Sequence, residues 1–139
     1  MHRVFFKVAS VLAALSVMLG AFGAHLLKKH LSAEDLNGYH TAVNYQMIHA
    51  IGLFIVGMMY RHYKTKKNIL AGYFFILGTF FFCGSIYLRL LFNAVELSFG
   101  RYTIMFAPVG GLFFMLGWIF ILLSIPTKKR YAENIDKEG

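Results

Sequence analysis

Carboxylates are scarce in this chain: six Asp and Glu stand against fourteen Lys and Arg in 139 residues. None of the six falls inside a long apolar run. Without a carboxylate to orient a histidine or complete a ligand set, those runs offer neither a hydrolytic triad nor a metal centre. There is one cysteine, Cys83. A single thiol excludes an intrachain disulfide and a thiolate cluster, and its place behind "YFFILGTFFF" marks it as a packing residue. Charged residues make up only 14% of the chain, so no segment is left for a sizeable soluble domain. The formal charge of +8 does not point to nucleic acid. The basic residues flank apolar runs instead of studding a polar, aromatic face, so anionic lipid headgroups at the cytoplasmic face are the expected partner.

What the chain has is apolar sequence: 58% hydrophobic residues, with 15 Phe and 8 Tyr. Four runs, residues 8–27, 41–60, 69–92 and 102–125, each reach the roughly 20 residues that carry a helix across about 30 Å of hydrocarbon. "MHRVFFK" followed by "GAFGA" has the look of a secretion signal, but the apolar run is too long for a signal core and "LLKKH" follows it, so it reads as a helix. The fold class expected is all-α, an integral-membrane four-helix bundle over residues 1–127, with a polar cytoplasmic tail at 128–139. Arg3, Lys7, Arg61, Lys64, Lys66, Lys67, Lys128, Lys129, Arg130 and Lys137 fall on one side, against Lys28, Lys29 and Arg101 on the other. The side richer in Lys and Arg faces the cytoplasm, which places both termini there.

Polar residues inside the spans are few and sit toward the outer half. "GYHTAVNYQMIHAIG", residues 38–52, brings Thr41, Tyr45 and His49 onto an i, i+4, i+8 ladder with Gln46 beside it, a face expected to point into the bundle. Arg89 approaches the outer end of the third span and His25 closes the first. Together His25, Tyr45, Gln46, His49 and Arg89 form the candidate site, an outer-half polar pocket for a lipid headgroup or other small amphiphile. Ser16, Gly20 and Ala24, with Gly23 beside them, make a stripe on which a second helix can pack closely. Ser32 and Asp35 form a capping-box pattern that starts the second helix near Ala33, with a bend expected at Gly38. In "APVGG", Pro108 breaks the outer end of the fourth helix and frees a carbonyl, for which Gln46, Tyr45 and Arg89 are the available partners.

Two histidines in a bundle invite a haem, but His25 near the surface and His49 near the centre are not level, as opposed axial ligands must be. No cofactor is expected. The inner half of the second and fourth spans, "IGLFIVGMMY" and "FMLGWIFILLSI", has no polar path. A conduit therefore needs an oligomer to complete it, and a site opening outward or a polar knot between helices is the better reading. A homo-oligomer or another membrane protein stays open as a partner, and no residue is expected to be catalytic.

The stretches "GAFGAHLLKKHL", "YHTAVNYQMIHAIGLFIVG", "GSIYLRLL" and "APVGGLFFMLGW", in this order, resemble the small bacterial membrane proteins grouped as domain of unknown function 423, or uncharacterised protein family 0382. The likeness runs through all four spans, about residues 4–125. It implies a multi-pass protein of the bacterial plasma (inner) membrane with no assigned activity. Where that family's pattern has Thr-Pro before the paired glycines, this chain has Ala107 and Pro108.

Overall fold

A computed structural model describes residues 2–62, 64–95 and 100–125; the tail expected at 128–139 lies outside them. The order is α1 (His2–His25), a 3-10 turn (Leu27–Lys29), α2 (Ala33–His62), α3 (Lys66–Gly78), a π-helical turn (Thr79–Cys83), α4 (Gly84–Ala94), α5 (Gly100–Thr103), a second 3-10 turn (Ile104–Phe106) and α6 (Ala107–Ser124). The described residues contain no strand. Four helical stretches are long and apolar enough to cross a membrane: His2–Lys29, Ala33–His62, Lys66–Ala94 and Ile104–Ser124. α1 packs chiefly on α2 and α3 chiefly on α6, with α2 and α3 meeting between them.

The first three spans are longer at both ends than their apolar runs, while the fourth, Ile104–Ser124, falls just inside its run of 102–125. α1 begins at His2 because the basic leader continues the helical repeat. It buries Phe5, Ala9, Ser16 and Gly23 along one seam, and Phe5 is 2% exposed. α2 begins at Ala33, where Ser32 Oγ accepts the Asp35 N–H at 3.1 Å and Glu34 and Asp35 stand against the positive pole of the helix. At Gly38, where a bend was expected, α2 continues its helical hydrogen bonding without a break. Its seam of Tyr39, Ala42, Val43, Gln46, His49, Leu53 and Val56 is the core of the molecule.

Phenylalanine rings seated on glycines set the helix spacing, as expected where small residues let helices approach in lipid. Phe75, 1% exposed, is wedged between α2 and α6: a Cβ on Gly52 would stand 3.0 Å from its ring and one on Gly117 only 2.5 Å. Phe5 fills the notch at Gly72, Phe114 that at Gly78, and Phe6 that at Gly57. The small-residue stripe on α1 is used in part. Gly23 lies under the Tyr39 ring and Gly20 near Val43, while Ala24 is exposed.

The π turn at Thr79–Cys83 has no counterpart in the apolar pattern. Its place is set by α6: Gly110 lies so close to the backbone of Phe82 that no side chain fits between them. The N-terminal end of α6 is broken as its proline requires, but the carbonyl freed by Pro108 finds a different partner from those expected. Ile104 O accepts the N–H of Ala107, so the 3-10 turn itself satisfies it. Gln46 and Arg89 are engaged elsewhere.

Candidate functional site

The α2 seam turns Gln46 and His49 inward, 4% exposed each. The ladder Thr41, Tyr45, His49 is not the centre of that face. Tyr45 is 41% exposed and Asn44 is also exposed, because the packed repeat follows 39, 42, 46, 49 and 53 instead.

Gln46 bridges two neighbours. Its Nε2 donates to Leu12 O of α1 at 3.0 Å, and its Oε1 accepts from the Tyr87 hydroxyl of α4 at 3.2 Å. The amide can sit only this way round, since a backbone carbonyl only accepts. Leu12 O also takes the Ser16 hydroxyl at 2.9 Å. In surroundings without water each of these bonds must come from the protein, and an unpaired buried amide costs about 1–3 kcal/mol. Tyr39 extends the lock, donating its hydroxyl to Leu19 O at 2.7 Å. Cys83, read from sequence as packing alone, is buried and also donates Sγ–H to Ala42 O at 3.3 Å.

His49 faces the other way, toward α6. Its Nε2 lies 3.3 Å from Trp118 Nε1 and its Nδ1 2.7 Å from Tyr45 O. Indole N–H only donates, so Nε2 accepts and the proton sits on Nδ1, where it is given to the carbonyl. The imidazole stacks on Phe114 with ring centres 3.4 Å apart and planes 9° off parallel. Both ring nitrogens are therefore engaged, and a haem or metal ion at Nε2 would have to displace Trp118. Among the described residues no group of three or more His, Cys, Asp and Glu is placed to hold a metal ion. Tyr45 caps this aromatic patch from the outside, its ring stacked on Phe82 at 4.7 Å.

Arg89 stands apart, at the end of the bundle where α2 begins. One guanidinium nitrogen meets Asp35 Oδ1 at 3.2 Å, with side-chain exposures of 32% and 23%. The second carboxylate oxygen, Oδ2, accepts from Ser32 Oγ at 3.1 Å, so the residue that caps α2 also orients the partner of Arg89. His25, the last residue of α1, is exposed, and among the described residues it makes no hydrogen bond to the other four.

The five residues picked from the sequence thus form separate arrangements: Gln46 with α1 and α4, His49 and Tyr45 with α6 and the π turn, Arg89 with the start of α2, and His25 alone. Sequence reasoning missed Asp35, Tyr87 and Trp118. Asp35 had a signal in the capping pattern, which extends the start of α2 to the level of Arg89. Tyr87 and Trp118 had none, since nothing in an apolar run distinguishes a ring that donates across a helix pair from one that only fills space.

A family model described as "Protein of unknown function (DUF423)" matches residues 19–111. The chain is 37% identical over 122 residues to a UPF0382 membrane protein of Staphylococcus haemolyticus, covering 88% of this chain and 94% of that one. It is 34% identical over 124 residues to the UPF0382 membrane protein YwdK of Bacillus subtilis, covering 88% and 95%. It is 30% identical over 122 residues to the UPF0382 inner membrane protein YgdD of Escherichia coli, covering 88% of each. No solved structure matches it.

Proposed function

The chain belongs to the DUF423 family, a family of membrane proteins, and from that premise we propose that it binds a membrane amphiphile at its outer rim through Arg89, without catalysis. The relatives' names assign no enzymatic activity. In this reading both termini face the cytoplasm, and the protein supports the integrity of the membrane by holding lipid. Gln46, His49 and Tyr45 serve by locking the helices that present Arg89.

The observation that carries the reading is the Arg89–Asp35 pair. It uses one guanidinium nitrogen of a group with five N–H donors and leaves the side chain a third exposed. A headgroup with both signs fits it best, its phosphate on the free donors of Arg89 and its ammonium on the Asp35 carboxylate. A transport subunit finds less support, because α2 from Gly52 to Met59 and α6 from Phe113 to Leu123 hold no ionisable side chain.

Native mass spectrometry of the gently extracted protein tests this, with wild type beside Arg89→Leu. Retained phosphatidylethanolamine that is lost in the variant, with subunit number unchanged, is the expected result. Equal retention in both sinks the assignment of Arg89, and ion or solute flux in proteoliposomes would favour the transport reading instead.

A further inference from the structure

At the end of the bundle far from Arg89, the first turn of α1, the last turn of α2 and Lys64 just beyond it frame an open cavity of about 510 Å³ lined by His2, Arg3, Phe6, Arg61 and Lys64. Its size falls within the range of roughly 300–1,000 Å³ typical of small-molecule sites. Two guanidinium groups and an ammonium share one concavity, and among the described residues no acidic side chain is in its lining. The carboxylate Asp35 is already paired with Arg89. It stands at the opposite end of α2, about 40 Å from Arg61 along the helix, several screening lengths away. Arg3, Arg61 and Lys64 make no ion pair with any described residue. The positive pole of α1, which begins at His2, adds to the same field. Like charges gathered in a hollow repel one another until an anion enters, so this space is built to hold negative charge.

The apolar part of the lining is Phe6, and it is firmly held. Phe6 packs so tightly on α2 that a Cβ on Gly57 would stand 2.9 Å from its ring, and Phe54 braces it at 5.7 Å. An occupant therefore meets both cations and an aromatic ring. Beside Arg3, α1 leaves Val4, Val11, Leu15, Met18 and Phe22 exposed at helical spacing along its length, a surface suited to an acyl chain. A free phosphate ion would use the first feature alone; a phospholipid uses all of them.

We propose that this cavity is a discrete site for the phosphate headgroup of an anionic phospholipid. Arg3 and Arg61 donate hydrogen bonds to the phosphate oxygens, Lys64 supplies a point charge, and Phe6 packs on the glycerol backbone. The site shares no residue with the Arg89 rim and stands whether or not that rim binds anything.

The rival explanation is diffuse attraction of lipid to a basic surface, and a matched pair of variants separates the two. One is Arg3→Gln/Arg61→Gln/Lys64→Gln, which strips the cavity. The other is Lys7→Gln/Lys66→Gln/Lys67→Gln, which removes the same charge from neighbouring positions outside the lining. Each full-length protein in detergent is titrated with short-chain phosphatidylglycerol or phosphatidylcholine, and bound lipid is counted by native mass spectrometry. At about fivefold per cation, the cavity variant is expected to lose roughly a hundredfold in phosphatidylglycerol affinity. The flanking variant should keep its first lipid within a few fold. Equal losses in the two variants overturn the discrete site, as does a wild type that does not discriminate between the two lipids. A competition arm with millimolar inorganic phosphate settles the source: displacement of the lipid overturns the phospholipid assignment in favour of free phosphate. Helical circular dichroism on both variants, with the Lys7/Lys66/Lys67 protein as the folding reference, shows that any loss comes from the site.

Discussion

Trp118 gives its indole N–H to His49 Nε2 across 3.3 Å, joining the last helix to the second. In one contact it settles the tautomer of the histidine, aims the tryptophan inward and removes the coordinating lone pair that a metal or haem would need. A residue that a sequence reader marks for chemistry is here a fastening between helices, with α1 and α4 fastened in turn by Gln46 three residues before it.

Trp118 is the only tryptophan, so its fluorescence reports on this contact. His49→Phe keeps the ring stacked on Phe114 but removes the acceptor, leaving the indole N–H unbonded in an apolar setting. Its emission should move to shorter wavelength. An unchanged spectrum would mean that the bond is not formed in the membrane.

Gln46 and Tyr87 should be energetically coupled. Gln46→Leu removes both bonds at one site, and a loss of about 1–2 kcal/mol is expected; Tyr87→Phe should cost about 0.6 kcal/mol, the typical worth of a hydrogen bond between membrane helices. In a double-mutant cycle read by denaturant unfolding in detergent micelles, the double variant should cost less than the sum. Strict additivity would break the assignment.

Gly110 and Gly111 are neighbours with opposite demands. At Gly110 a Cβ meets the backbone of Phe82, which cannot rotate away, whereas at Gly111 nothing lies within 4 Å. Gly110→Ala is expected to destabilise by about 1–3 kcal/mol, and Gly111→Ala to be neutral or stabilising by up to about 1 kcal/mol. Thermal unfolding of the two single variants decides it, and similar midpoints would contradict the close approach of α6 to the π turn.

The Arg89–Asp35 pair is partly exposed, and its contribution to stability should be small. Asp35→Asn is expected to cost no more than about 1 kcal/mol at low salt. That difference should shrink in 1 M salt, where charges are screened within about 3 Å. A cost of several kcal/mol that ignores salt would place the pair in a drier setting than the one described here.

Topology is checked by reporters fused after Gly139 and in the loop at His30. With both termini cytoplasmic, a reporter active only in the cytoplasm should work at Gly139 and fail at His30. The reverse pattern would turn the basic cavity outward and the Arg89 rim inward.

Much of the fold was legible in the sequence because the bilayer imposes it. A run of some 20 apolar residues has one inexpensive conformation in hydrocarbon, and each of His2–Lys29, Ala33–His62, Lys66–Ala94 and Ile104–Ser124 falls on the run that announced it. The capping pattern at Ser32 and the break at Pro108 were equally local, so they too could be read in advance, down to the start of α2 at Ala33. The π turn was not legible, since no short-range pattern at Thr79–Cys83 requires it; the approach of Gly110 from another helix does.

For the polar residues the division is sharper. Sequence alone determined that Gln46, His49 and Arg89 must find partners inside the protein or at its rim, because hydrocarbon offers none. Which partners they found, Leu12 O and Tyr87, Trp118, and Asp35, was decided by tertiary structure. Helix rotation and crossing depend on which glycine receives which ring: Phe75 in the slot between Gly52 and Gly117, Phe6 on Gly57, Phe82 against Gly110. With 13 glycines and 15 phenylalanines in the chain, composition permits many such pairings. Only close packing of all the helices at once selects a single set, and with it the neighbours of every polar group.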